Sequence, residues 1–156
     1  VDRARTDAIE RAEILGRFPE FACLTHRVPF LTKRQNELML ARLARNACRG
    51  ERGCILWTGS VNNDCYARVT VWIPAMAKHY AEYVHRIVLR MATGRGLQHW
   101  QETSHTCDTP PCINPKHLKA ERRKDNRVRS AENTNRKKER RAVRARFAHL
   151  EDSHAR

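Results

Sequence analysis

The sequence predicts a small mixed α+β domain in which helices flank short strands. Three observations point there: an apolar-periodic stretch with a capping signal at 32–47, β-branched and aromatic runs at 55–58 and 66–73, and a basic, helix-prone stretch from Glu121 onward. The chain has 156 residues, enough for one modest core with basic extensions. Hydrophobic residues are 40% of it and mean hydropathy is −0.75. A core that small benefits from a staple.

Residues 2–18 read as a polar helix whose apolar anchors are Ile9, Ile14, Leu15 and Phe18, and Pro19 ends it. Residues 19–31 read as loop or extended chain. Thr32 followed by Gln35 has the form of a capping box and opens a helix to about Ala47, with Leu40, Leu43, Ala44 and Ala47 at helical spacing. Cys48 to Gly53 reads as a charged turn. Ile55–Thr58 and Tyr66–Ile73 read as strands joined around the turn-like Val61–Asp64, and together they are expected to form a β-hairpin closed by Pro74. Residues 77–93 are expected as an amphipathic helix with Tyr80, Val84, Ile87, Val88 and Met91 as its stripe and Gly94 as its stop. Short strands are expected near 103–106 and 118–120, with Pro110, Pro111 and Pro115 stiffening the loop between them. The organisation reads as an N-terminal helical extension (1–50), a central domain carrying the chemistry (51–137) and a basic C-terminal tail (138–156).

Charge narrows the partners. Lys and Arg number 31 against 17 Asp and Glu, a formal charge of +14. Such a charge concentrates polyanions near the protein, nucleic acid first and an anionic membrane second. No run of 18 apolar residues is present, so no bilayer span is expected. No apolar segment of the secretory kind follows the N-terminus, and an intracellular, reducing setting is expected. Between Lys119 and Arg146 thirteen Lys or Arg face four acids. That run reads as a DNA-contacting helix over 121–137 and as either extension or solvated tail beyond it.

Six cysteines occur: Cys23, Cys48, Cys54, Cys65, Cys107 and Cys112. The segment Ser104 to Leu118 (S-H-T-C-D-T-P-P-C-I-N-P-K-H-L) gathers two of them with His105 and His117. Cys107, Cys112 and His117 have four residues between each successive pair. Two thiolates and an imidazole on a proline-stiffened loop suit a closed, structural Zn²⁺ site. Cys54, at the start of the first strand, is the expected fourth ligand, with Cys48 as the alternative. His105 could also chelate, but its position two residues before Cys107 on a strand favours a separate role. An exposed histidine titrating near neutrality is the usual general base for activating water.

The segment resembles the HNH endonucleases of phages and mobile elements, in particular their H-x-C-D-x-P-x-C-x-N-P-x-H-L subgroup, and it is similar to the His-Cys box homing endonucleases. The likeness extends outward through Gly53–Gly59 (G-C-I-L-W-T-G), Tyr66–Val69 (Y-A-R-V), Val84–Arg86 (V-H-R) and Asp125-Asn126, and covers about residues 53–130. It implies a ββα-metal (His-Me finger) core with a zinc knuckle, and a DNA endonuclease that hydrolyses phosphodiester bonds with Mg²⁺ or Mn²⁺. By position, His105 corresponds to the general base and Asn126 to the side-chain ligand of the catalytic metal. Arg68 corresponds to a phosphate-facing catalytic residue, and Cys54, Cys107, Cys112 and His117 to the zinc ligands. Asn114 and His85 correspond to structural supports that hold the active-site loop. Arg122, Arg123, Lys124, Arg127 and Arg129 are expected near DNA phosphates, and a homodimer is consistent with family members that cut both strands. Ser104 stands where many such enzymes carry an Asp, which leaves Asn126 as the sole expected protein ligand and implies weak metal affinity without DNA. A catalytically inactive, zinc-stapled DNA-binding module is the competing reading. It gives no reason to keep His105 and Asn126 together. An RNA-binding zinc protein fits the basic tail but not that pair.

Overall fold

The computed structural model describes residues 3–153, so positions 1–2 of the N-terminal extension and 154–156 of the basic tail lie outside the described residues. The elements are α1 (Arg3–Arg17), α2 (Lys33–Arg45), β1 (Ala47–Arg49), β2 (Ile55–Trp57), β3 (Arg68–Ile73), β4 (Lys78–Tyr83), α3 (Val84–Thr93), β5 (Gln101–His105), β6 (Leu118–Arg122) and α4 (Arg123–Ser153). This is the mixed α+β class. The strands pair as three separate antiparallel ribbons, β1 with β2, β3 with β4 and β5 with β6.

The capping box is present. Thr32 Oγ1 accepts from Gln35 N at 3.2 Å, and Gln35 Oε1 accepts from Thr32 N at 2.9 Å, which satisfies two backbone donors that the first turn of α2 leaves open. Leu40, Leu43 and Ala44 are buried, as the spacing requires. The helix ends at Arg45, and Ala47 is buried from β1 instead.

Two expectations about the middle of the chain are corrected. The strands at 55–57 and 68–73 do not pair with each other. β2 pairs back with β1, and β3 pairs forward with β4 in the register Arg68↔Tyr83 to Ile73↔Lys78. The connection decides it: β3 reaches β4 through the tight turn Pro74–Ala77, with Ala77 left-handed at φ 46°, whereas β2 and β3 are separated by a much longer loop. Shorter closure costs less chain entropy. The helix expected over 77–93 is correspondingly confined to Val84–Thr93. The backbone of 78–83 hydrogen-bonds to the β-branched strand beside it, and pairing overrides helical periodicity. Tyr80 therefore lies on a strand, 40% exposed, while Val84, Ile87, Val88 and Met91 are buried as expected. Gly94 stops α3 in a left-handed conformation at φ 70°.

One apolar cluster joins residues between Phe18 and Leu118 and, among the described residues, includes none of α4. The segment read as loop contributes Phe21, Leu24, Val28 and Leu31 to it, all fully buried. Pro19 starts a 3₁₀ turn there that carries Phe21 inward. Phe18 is buried, Ile14 and Leu15 pack partly against the cluster, and Ile9 is exposed. The strands expected near 103–106 and 118–120 are β5 and β6, in the register Gln101↔Arg122 to His105↔Leu118. Among the described residues, no helix is long and apolar enough to cross a membrane.

Candidate metal centre and adjoining cleft

The loop between β5 and β6 lies along β2. Trp57 N donates to Pro111 O at 2.9 Å and Ile113 N to Ile55 O at 2.7 Å. Asn114 ties the loop to the turn before β2, donating from Nδ2 to Gly53 O at 2.7 Å and accepting from Lys116 N at 3.0 Å. Gly53 sits at φ +73°, a region that L side chains rarely adopt, and it delivers Cys54 to the loop. Asn114 thus links the loop backbone to the turn that carries Gly53.

Cys54, Cys107, Cys112 and His117 converge, their ligand atoms all within 4.8 Å of one another. His117 Nδ1 lies 3.6 Å from Cys54 Sγ and 3.5 Å from Cys112 Sγ. Zinc bonds of about 2.3 Å to sulfur and about 2.05 Å to nitrogen, at the tetrahedral angle, put the two atoms ~3.6 Å apart. The group is positioned to bind a metal ion and its donors are consistent with zinc. Cys48 is exposed on β1 and outside the group, so the alternative fourth ligand is not brought together with the others. Within the group, hydrogen bonding from Cys112 holds the Cys107 thiol down at about 4, while the Cys107 hydrogen bond and burial push Cys112 up and burial raises Cys54.

Beside this centre is a cleft of about 170 Å³ lined by Tyr66, His105, Asp108, Asn126, Arg129 and Asn133, among others. His105 ends β5 and Asn126 lies on the second turn of α4, so the pair stands on two elements that pack together. The expectation of an exposed His105 is corrected: it is 6% exposed. Its ring packs 4.9 Å from that of His85 and 5.8 Å from that of Tyr66, centroid to centroid. His105 Nε2 is 3.0 Å from Cys112 O. A carbonyl only accepts, so Nε2 carries the proton and Nδ1 keeps the lone pair. Burial lowers the His105 pKa, and the ring stays neutral at physiological pH.

His85 backs His105. It is 6% exposed, at the start of α3, between Tyr66 and Tyr83. Burial first, then the neighbouring His105 and Arg86, push its pKa down to about 3.

Asn126 is bonded on both atoms: Nδ2 donates to Glu102 Oε1 at 2.5 Å and Oδ1 accepts from Arg129 Nη2 at 2.8 Å. Arg129 lines the cleft with its guanidinium turned to protein partners. Nε and Nη2 donate to Glu121, Nη1 to His105 O and Asp108 Oδ1, and Nη2 to Asn126, so all five N–H donors are spent within the protein. Burial opposes ionisation of Glu121, but hydrogen bonds from Lys119 and Arg129 outweigh it and hold the carboxyl at about 2. Arg122, Arg123, Lys124 and Arg127 are exposed at the start of α4. Arg68 is exposed on β3 with its guanidinium 5.5 Å from the Tyr83 ring centroid. It is not among the residues lining the cleft. Sequence reasoning missed Asp108, Glu102 and Glu121 as members of this network. Asp108 had a signal, since it is the D of the H-T-C-D run; the two glutamates had none.

Comparison with known proteins gives one weak likeness. Protein 2.8 of Escherichia phage T7 is 34% identical over 74 residues, 47% of this chain and 46% of that protein. The chain thus matches about half the length of this phage relative. No family model matches the chain, and no solved structure matches it.

Proposed function

We propose that this chain is a metal-dependent DNA endonuclease of the HNH kind, with the Cys54–Cys107–Cys112–His117 group as a structural zinc centre. The observation that carries the reading is the meeting of His105 and Asn126 in one cleft, on a strand and a helix next to the loop that carries three of the four metal-ligand candidates. His105 is neutral and its Nε2–H is fixed on Cys112 O, so Nδ1 is the atom available to take a proton from water. His85 and Tyr66 keep the ring in place and shield it. Asn126 Oδ1 and the Asp108 carboxylate are hard oxygens of the kind Mg²⁺ or Mn²⁺ prefers, and such an ion, when bound, offsets charge on a scissile phosphate. The exposed cations at the start of α4 attract the DNA backbone.

A second reading has its own observation. Asn126 Oδ1 is already held by Arg129, as it would be in a zinc-stapled DNA-binding module without activity. Incubation of the purified chain with supercoiled plasmid and Mg²⁺ or Mn²⁺ decides between them. Relaxed or linear product supports the nuclease. DNA binding with no product under either metal replaces it with the binding module.

A further inference from the structure

Trp100 is 48% exposed, outside the core cluster and outside the cleft. An indole face left to solvent is apolar area that a planar partner can cover. Its place is fixed: the Trp100 carbonyl accepts from Arg123 N at 3.2 Å, which pins the start of β5 to the start of α4. His99 stands edge-on to the indole, ring centroids 4.7 Å apart at 84°. With Arg122, Arg123 and Lys124 these two rings line one open depression of about 530 Å³, a size suited to a small planar group. An aromatic face ringed by three cations is complementary to a planar ring with a phosphate on either side.

We propose that Trp100, with His99 and the Arg122–Lys124 cations, is a stacking site for a base of an unpaired DNA strand. The inference rests on DNA being the partner in the reading above and adds which state of the DNA this face takes. Paired bases bury their faces in the duplex stack, whereas an unpaired base offers its π-face to an aromatic platform while its phosphates meet Lys and Arg. Trp100 precedes β5 and His105 ends it, so the two lie about 17 Å apart along the strand. Trp100 is thus placed to hold a strand opened near the cleft, outside the reacting position itself.

The test measures affinity of the full chain for a (dT)₁₂ oligonucleotide and for a blunt duplex of the same length, without added Mg²⁺ so that nothing is cut. Trp100→Ala should weaken (dT)₁₂ binding about tenfold or more, as loss of one stacked base does. Duplex binding should change less than twofold. Trp100→Phe should restore most of the (dT)₁₂ affinity, and zinc content and circular dichroism should match wild type in both variants. In a Trp72→Phe background, (dT)₁₂ should quench the emission that Trp100→Ala removes. Equal losses on both DNAs, no loss on either, or a loss confined to phosphatidylserine vesicles would each overturn the proposal. A chain that stacks (dT)₁₂ on Trp100 yet cuts no plasmid loses the nuclease reading and keeps this one. A chain that cuts plasmid while Trp100→Ala leaves (dT)₁₂ affinity unchanged does the reverse.

Discussion

The imidazoles of His85 and His105 lie 4.9 Å apart, centroid to centroid, and both are nearly excluded from water. Two rings so placed cannot both be charged without a large desolvation and repulsion cost. Burial keeps both rings neutral, His105 adds to the lowering at His85, and the pair makes the fold sensitive to acid.

Replacing His85 should reveal that sensitivity. Its pKa is near 3 in the fold against 6.5 ordinarily, so between those values the unfolded chain binds the extra proton. Stability from this residue is then complete above pH 6.5 and is lost as pH falls, by up to ~1.4 kcal/mol per pH unit. Urea unfolding at pH 7.5 and 5.5 should show wild type losing ~1.4 kcal/mol more between the two than His85→Phe does. Equal losses would mean that His85 is not buried neutral.

His105→Ala should lower plasmid cleavage by ~10² to 10⁴ while DNA affinity and zinc content hold. Asn126→Ala should also remove cleavage. Asn126→Asp should regain part of it at raised Mn²⁺, because a carboxylate oxygen replaces the amide oxygen as a hard ligand, whereas His105→Ala should stay inactive at any metal concentration. Loss of zinc from His105→Ala would make that residue a ligand and end its assignment as base.

Metal analysis of the purified chain should give about one zinc per molecule, as a closed four-ligand site does. Cys112→Ser should lose it and melt at a lower temperature, while Cys48→Ser, altering an exposed thiol outside the group, should keep both. Zinc-free protein that is fully folded would remove the knuckle.

The basic residues of α4 should separate in a salt titration. Arg122→Ala, Lys124→Ala and Arg127→Ala should each reduce the slope of log affinity against log salt by about one. Arg129→Ala should leave the slope near wild type and instead cost the fold ~1–3 kcal/mol, since it removes the charged hydrogen bonds to Glu121 and Asp108. A reduced slope for Arg129→Ala would place that side chain on DNA.

Much of the metal centre was legible because its spacing is local. Cys107, Cys112 and His117 fall on one loop, and only Cys54 had to be brought from afar. The capping box of α2 was legible for the same reason, four residues defining it. The pairing of β3 with β4 was not, since residues 78–83 carry a helical period and only their neighbour makes them a strand. Nor was the Arg129 network, whose partners Asp108 and His105 lie 21 and 24 residues away and whose inward turn depends on the packing of α4 against β5 and β6. The burial of His105 escaped for that reason too: a strand position says which face a side chain takes, not what covers it.

The β3–β4 ribbon meets the rest of the chain at its base, where Val84 N donates to Ala67 O at 2.9 Å, and along β3, where Val69, Val71 and Ile73 enter the core and Arg42 Nη1 of α2 donates to Thr70 O at 2.9 Å. None of the metal-centre residues lies within it, and none of the residues lining the cleft does either. A ribbon held along its length has one part free to change, the exposed turn Pro74–Ala77 at its tip. Its tip can be lengthened or rewritten at a cost that grows only slowly with length, about 0.6 kcal/mol per doubling of a flexible loop. Descendants of this chain are thus free to acquire new outer contours by drift in 74–77 while the core and the four-ligand group stay as they are.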